Sequence, residues 1–183
     1  MALEPQAALE TAVRDAIRTT LGVSRAMCDR MFDGRPPPSC GPIFVAVWSG
    51  GRRSQGKAGR TALDQMFTVA VTITARINRP FDRQVIHRDE IEKRMNAIVA
   101  LIHLDTWNQS VINASNTLAA YRASNPGGIL PVGFSEALAW ESTEDVRQVD
   151  GSWFMAEPEK LAGIAQTAHF AKARHIQAIA TAQ

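Results

Sequence analysis

An alternation of apolar and polar side chains from residue 66 to residue 77 is the strongest pattern in the chain. Five apolar residues share one parity and four polar residues share the other: Phe67, Val69, Val71, Ile73 and Ile77 against Thr68, Thr72, Thr74 and Arg76. Because successive side chains of a strand point to opposite faces, this period of two predicts a long β-strand. We expect one face of this strand to be buried and the other to face water.

Two segments repeat their apolar residues every three or four positions, which is the period of an amphipathic α-helix. The first covers residues 3–21, with Pro5 suited to a first helical turn and Gly22 suited to a stop. The second covers residues 83–104. The apolar stripes are Leu9, Val13, Ile17 and Leu21 in the first helix, and Ile91, Met95, Ile98 or Val99, and Ile102 in the second.

Shorter patterns predict the remaining elements. Residues 43–48 are apolar, and half of them are β-branched, so we expect a strand that pairs with residues 66–77. Residues 107–121 are polar and mixed, which is compatible with a further short helix. Strands are expected at 132–141 and 145–156, where the dipeptide Asp150-Gly151 favours a hairpin turn. Residues 161–180 are rich in alanine and ambiguous: helix propensity favours a helix, but Ile164, Ala168 and Phe170 also fit a strand.

These elements predict an α+β fold: a mixed, mainly antiparallel β-sheet flanked by an N-terminal helix and a central amphipathic helix. At 183 residues the chain is expected to form a single domain, residues 1–183. We divide it into an N-terminal helix (1–22), a proline-rich extended segment along the surface (23–42) and an α+β core (43–180). Within the core, residues 49–63 are expected to form a flexible loop.

That predicted loop concentrates positive charge, although the net charge of the chain is only +2. No Asp or Glu occurs from Gly34 to Leu63. The basic residues of the loop are Arg52, Arg53, Lys57 and Arg60. Clustered cations attract phosphates or acidic surfaces, so these four residues are candidate contacts to DNA or to a protein partner. The competing interpretation is a solvated loop that its charges keep soluble.

The cysteines and the N-terminus bear on the cellular compartment. Cys28 and Cys40 are the only cysteines, and two thiols do not make a structural zinc motif. A disulfide between them stays open. The N-terminus lacks the basic start and apolar core of a signal peptide, and no stretch approaches the roughly 20 apolar residues of a membrane span. We therefore expect a protein of the reducing cytosol with no membrane partner.

Apparent catalytic and ligand motifs are incomplete. The stretch from Gly51 to Ala58 nearly matches a phosphate-binding loop, but Ala58 replaces the hydroxyl residue that holds magnesium, and a strand follows where a helix is needed. His103 and Asp105 have no partner at metal-ligand spacing, and His169 with His175 is better explained as surface. No Ser lies in a Gly-x-Ser-x-Gly motif, and neither Cys has an adjacent His that could activate it. We therefore expect no enzyme activity, no catalytic residue, no metal and no cofactor.

The order of elements supports a resemblance to a known group of proteins. Five stretches carry it: residues 69–76 (VAVTITAR), 80–83 (PFDR), 101–104 (LIHL), 138–141 (LAWE) and 151–154 (GSWF). Over residues 40–175 the chain resembles small neck and tail proteins of tailed bacteriophages, and it looks most like the tail terminator or head–tail connector group. The proline-rich segment 35–42 and the long loop 49–63 are not general features of that group.

The resemblance implies a structural virion protein, assembled in the host cytoplasm and located in the neck of the particle. It implies a ring-forming subunit, sixfold by expectation, that caps the tail tube and joins it to the head. Tail tube proteins, connector proteins and double-stranded DNA in the lumen would be its partners. The alternatives are a head–tail connector of the adaptor or stopper kind, and, from another class, a small nucleic-acid-binding module that uses the basic loop.

Overall fold

The computed structural model describes residues 3–25, 27–57, 62–77, 84–119, 133–135, 138–156 and 162–178. Within these residues the chain forms three α-helices, seven β-strands and a 3₁₀ turn. The helices are α1 (Pro5–Leu21), α2 (Gln84–Ile102) and α3 (Asp105–Leu118), and the 3₁₀ turn is Gly151–Phe154. The strands are β1 (Cys28–Arg30), β2 (Ile43–Lys57), β3 (Ala62–Ile77), β4 (Gly133–Phe134), β5 (Ala139–Thr143), β6 (Arg147–Asp150) and β7 (Ala162–Ala178).

All seven strands belong to one sheet. Its order is β1-β2-β3-β7-β4, and β5 and β6 also pair with β7. The short β1 runs parallel to β2, whereas every other pairing is antiparallel. The chain therefore has the predicted α+β fold, with an N-terminal helix and a mixed, mainly antiparallel sheet.

The sheet is built around β3, which is hydrogen-bonded on both sides. β2 pairs with it from Ile43 to Lys57, and β7 pairs with it from Ala162 to Ala178. The alternating sequence of residues 66–77 thus lies in the central strand, which begins four residues earlier than that pattern, at Ala62. Pairing on both sides of β3 satisfies its backbone groups without water.

The three helices cover one face of the sheet and share one hydrophobic core with it. The apolar parity of β3 points into this core, and the predicted stripes of α1 and α2 meet it there. Among the buried side chains are Leu9, Val13 and Ile17 of α1, Ile91, Met95 and Ile98 of α2, Trp107 and Val111 of α3, Val45 and Val47 of β2, and Phe67, Val69, Val71 and Ile73 of β3. Each fully buried aliphatic side chain contributes about 1.5–3 kcal/mol relative to exposure.

The opposite face of β3 is not the wet face that the alternation predicted. Thr72 and Thr74 are 0% and 2% exposed. Two segments cover them: the proline-rich segment lies over β2, where Cys40 packs with Phe44, and the 3₁₀ turn lies over β3 and β7. The proline-rich segment is therefore a second layer on the sheet, although it was expected to run along the surface.

The predicted flexible loop 49–63 is wrong over residues 49–57, which continue β2. Their pairing with β3 runs to Lys57 opposite Leu63, with irregularities between Ser49 and Gly51 and between Ser54 and Gly56. Gly51 has φ +101°, a left-handed conformation that glycine adopts without strain, and it accommodates the first irregularity. Residues 58–61 lie outside the described residues.

The C-terminal third also differs from its predicted elements. The strand expected at 132–141 is two strands, β4 and β5, and the strand expected at 145–156 ends at Asp150, where the 3₁₀ turn begins. Asp150 accepts a hydrogen bond from the Ser152 N–H and so caps that turn instead of forming a two-residue hairpin. The ambiguous segment 161–180 is a strand, β7, over 162–178. The short helix expected near Trp107 is α3.

An ionic cluster fastens β1 to α1. Asp29 Oδ1 lies 3.2 Å from Arg14 Nη1 and 3.1 Å from Arg18 Nη2, and it accepts the Arg30 N–H at 2.8 Å. Partial burial alone would raise the pKa of Asp29. The Arg30 N–H and the two guanidinium charges outweigh burial, and the pKa is lowered overall. The cluster therefore needs the ionised carboxylate.

Replacement of Gly163 tests how tightly the 3₁₀ turn seats on the sheet. A Cβ at this position would lie 2.5 Å from Phe154 Cζ and 2.6 Å from the Ala75 carbonyl oxygen. We expect Gly163→Ala to lower the free energy of unfolding by about 1–3 kcal/mol, as overpacking does. Gly41→Ala is the matched control, because nothing lies within 4 Å of its added Cβ. Equal urea midpoints for the two variants would contradict the packing described.

Asp29→Asn tests the ionic cluster through its pH dependence. The folded pKa of Asp29 is below its ordinary value of 3.8, so the carboxylate stabilises the fold above that value and the effect is lost as the pH falls through the folded pKa. We expect the variant to lose about 1–2 kcal/mol at pH 7 and to converge on the wild type in urea titrations as the pH falls through the folded pKa of Asp29. Asp15→Asn, at a more exposed partner of Arg14, should lose less.

Candidate functional site

The predicted contact residues lie on a strand where a loop was expected. Arg52 pairs with Phe67 across the β2–β3 ladder, Arg53 pairs with Met66, and Lys57 pairs with Leu63. Arg60 lies outside the described residues. The structure thus brings three of the four predicted residues onto one strand, where they are held at fixed backbone positions.

This part of β2 is an open edge of the sheet. β1 pairs with β2 only at Val45–Val47, and the Met31 N–H bonds to the Val47 carbonyl oxygen. Gly51 is occupied by local hydrogen bonds with Ser49 and Thr68. Among the described residues, no strand pairs with the outer side of β2 from Arg52 to Lys57. An open edge presents a row of backbone donors and acceptors to another chain.

The strand is also longer than the fully buried core. Toward the hairpin end, Phe67 is the last buried side chain of β3 whose burial is described, and Asp64 to Met66 are half-buried. The ladder continues from the Arg52–Phe67 pair to the Lys57–Leu63 pair, roughly 17 Å at the usual strand rise. Arg174 of β7 stiffens this part through a bidentate contact with Asp64, with Nη2 2.7 Å from Oδ2. We call this three-stranded extension the arm; it consists of Arg52–Lys57 of β2, Leu63–Phe67 of β3 and the part of β7 that pairs with them.

A second feature is a cleft on the face of the sheet that was expected to be wet. Its volume is about 260 Å³. Two tryptophans, Trp48 and Trp153, form its apolar walls, and two threonines, Thr72 and Thr167, form its floor. Four charged residues, Asp33, Arg35, Glu144 and Arg147, complete its lining together with Gly34.

Hydrogen bonds fix the walls of this cleft to its floor. Trp48 Nε1 donates to Thr72 Oγ1 at 3.0 Å, and the hydroxyls of Thr72 and Thr167 lie 3.0 Å apart. Trp153 Nε1 donates to Thr74 Oγ1 at 3.2 Å. Gly34 closes over the floor so tightly that an added Cβ would lie 2.5 Å from Thr72 Oγ1. Sequence reasoning missed this group, because Trp48, Trp153 and the threonines of the floor lie far apart in the chain.

Charged groups surround the mouth of the cleft. The guanidinium carbons of Arg147 and Arg35 lie 4.7 and 5.9 Å from the centre of the Trp153 ring, which is cation–π geometry. Glu144 Oε1 lies 3.0 Å from His169 Nε2. Thr72 Oγ1 contacts an indole N–H and a hydroxyl, and neither group can act as its general base. The hydrogen bonds of Trp48, Trp153 and the threonines join the sheet to the segments that cover it.

Among the described residues, the cysteines singled out in the sequence are not paired, and the histidines lie in no metal-binding cluster. Cys28 and Cys40 are free and buried, so the disulfide that the sequence left open is absent. Burial raises the pKa of the Cys28 thiol to about 11 and also raises the pKa of Cys40, which keeps both thiols protonated at neutral pH. His103 and Asp105 are both exposed. In the part of the chain that the structure describes, no three His, Cys, Asp or Glu residues converge as metal ligands.

The sequence was compared with protein-family models and with curated proteins. The sequence matches no protein-family model, and it matches no curated protein. None of the described helices combines the length and the apolar character that crossing a membrane requires.

Thr72→Val tests the hydroxyl junction at the floor of the cleft. The change keeps the shape of the side chain but leaves the Trp48 indole N–H and the Thr167 hydroxyl without this partner in a buried site. We expect a loss of about 1–3 kcal/mol in the free energy of unfolding, measured by urea titration. Thr117→Val, whose hydroxyl is exposed and bonds only within α3, should change it by no more than about 0.5 kcal/mol. A neutral Thr72→Val would refute the junction.

Proposed function

We propose that this chain is a structural virion protein of a tailed bacteriophage, the tail terminator in the neck. Copies of the chain form a ring, sixfold by expectation, that caps the tail tube and joins it to the head. The order of elements supports this proposal, because an N-terminal helix, a long strand pair, a central helix and a strand-rich C-terminal third follow one another as in the group that the sequence resembles.

One observation carries the proposal: a long open sheet edge on a braced arm. A ring subunit needs a rigid body and an edge or arm that reaches its neighbours. Here β2, β3 and β7 are 15, 16 and 17 residues long, well above the usual five or six, and β2 ends in the open stretch Arg52–Lys57. In the monomer this stretch leaves backbone N–H and C=O groups without a strand partner, and pairing with another chain would provide one.

The basic residues of the arm fit two environments in a neck ring. One is the lumen, where cations on the arm contact passing DNA through its phosphates, without sequence preference and with strong salt dependence. The other is an acidic surface of a neighbouring protein. Reactive chemistry is not needed for either role, and the tryptophan N–H groups and threonine hydroxyls of the cleft bond to each other.

The mass of the protein in solution tests this proposal. We expect analytical ultracentrifugation over a wide concentration range to detect a closed assembly at a multiple of the 20.0 kDa chain, and electron microscopy to show rings. The assembly buries sheet edges, so it should dissociate on dilution without unfolding. A monomer at every concentration that binds DNA tightly would contradict the ring and favour the nucleic-acid-binding module.

A DNA titration in the same buffers separates the two roles of the basic arm. Arg52→Ser/Arg53→Ser/Lys57→Ser removes three charges from β2. Arg25→Ser/Arg88→Ser/Lys93→Ser removes three charges elsewhere and is the matched control. If the arm faces DNA, the log–log salt slope of binding should fall by about 0.9 for each lost phosphate contact in the first variant only. Unchanged DNA binding with weakened assembly would assign the arm to a protein neighbour.

A further inference from the structure

Among the described residues, the sheet has a second open edge, on the opposite side from β2. Strands β4, β5 and β6 follow one another end to end along the same edge of β7, and each pairs with β7 alone among the described residues. The longest of them is β5, Ala139–Thr143, and Glu141 and Ser142 on this strand are exposed. One lateral edge of the sheet is therefore the end of β2, and the other is formed by β5 and its neighbours.

The two edges carry opposite charge. The stretch Arg52–Lys57 contains three basic residues and no acid. The stretch from Ala139 to Val146, which is β5 and the turn after it, contains three acids and no base. These acids are Glu141, Glu144 and Asp145, and all three are exposed. Complementary charge across a contact speeds encounter, fixes register and penalises wrong partners.

An exposed aromatic residue lies on the acidic edge. Trp140 of β5 is 46% exposed, and its indole N–H donates to Thr143 Oγ1 at 3.0 Å. A half-exposed tryptophan held in one orientation is the kind of side chain that anchors protein interfaces. The acidic edge thus offers apolar surface, backbone hydrogen-bonding groups and negative charge on one short strand.

Strand directions decide how two such edges could join. β2 is antiparallel to β3, β3 to β7, and β7 to β5, so β2 and β5 run in opposite directions within one chain. Rotation about a ring axis to which the strands are inclined, as in a tilted barrel sheet, keeps the direction of each strand along that axis, and β2 of one copy would therefore meet β5 of the next copy in antiparallel pairing.

The pairing would also stagger the copies. β5 lies at the level of Val47–Ser49 of β2, through Phe170 and Ala168 of β7 and their partners in β3. The open stretch begins at Arg52, and its midpoint lies about six residues further along β2 than the level of β5. Pairing of β5 with this stretch would therefore displace neighbouring copies along the strands by about six residues, roughly 20 Å. A stagger of this kind accompanies the strand tilt of curved, closing sheets.

We infer that the open edge of β2, Arg52–Lys57, pairs with the outer edge of β5, Ala139–Thr143, of a second copy of this chain. The inference rests on the proposed ring and names the contact that builds it. The contact is heterologous, because each copy offers a basic edge to one neighbour and an acidic edge to the other. Heterologous contacts close into rings when the rotation between copies divides a full turn.

Charge reversal at each edge tests this contact. The first variant is Arg52→Glu/Arg53→Glu, which makes the β2 edge acidic. The second is Glu141→Lys/Asp145→Lys, which makes the β5 edge basic and leaves Glu144 with His169. The third combines all four changes. Two controls reverse the same numbers of charges on α2: Lys93→Glu/Arg94→Glu and Asp89→Lys/Glu92→Lys. Circular dichroism and urea midpoints verify that every variant is folded.

We expect each single-edge variant alone to sediment as a monomer, with the concentration for half-assembly raised at least about a hundredfold, since like charges then face each other. An equimolar mixture of the two should recover assembly, because each acidic edge again meets a basic edge. The fourfold variant should assemble by itself, and both α2 controls should match the wild type.

The outcomes separate this contact from the ring itself. Wild-type assemblies that persist in both single-edge variants would overturn the β2–β5 contact and leave the ring proposal intact. Monomeric single-edge variants that do not recover on mixing would also overturn it, since the charges would then act elsewhere. A wild type that stays monomeric at every concentration would contradict both proposals. The charges on the two edges would then serve only to prevent association through the sheet edges.

Discussion

The continuous pairing of β3 with β2 on one side and β7 on the other is the interaction on which the rest of this structure depends. Every other strand joins the sheet through β2 or β7, and the helical core and the second layer pack on opposite faces of this three-stranded unit. A central strand of 16 residues can be buried only if its backbone groups are paired along its length. Its neighbours must therefore be equally long.

That requirement explains which parts of the fold the sequence revealed. The period of two in β3 and the helical periods of α1 and α2 are local signals, and the structure confirms all three elements. Residues 49–57 have the glycines and arginines of a loop, yet they form a strand because β3 needs a partner there. β7 is similar: its alanines leave local preference undecided, and pairing with β3 selects the strand.

The cleft could not be predicted, because its parts are far apart in the sequence. Trp48 and Trp153 meet the same threonine row only after β2, β3 and the 3₁₀ turn have come together. The threonines were visible as one parity of β3, but alternation alone does not tell a wet face from a face under a second layer. Gly34 was a usable local signal, since a glycine before a proline-rich run permits close approach to the sheet.

The charge on the β2 edge has a consequence for the symmetry of any assembly. Pairing of two copies through the same edge would bring three cations of one strand against three cations of the other, and the β5 edge would oppose its own acids in the same way. Like charges directly opposite destabilise a strand pair. Twofold dimers through either edge are therefore disfavoured, whereas contact between unlike edges is not. Charge that protects an edge against indiscriminate pairing thus also selects the head-to-tail arrangement that a ring requires.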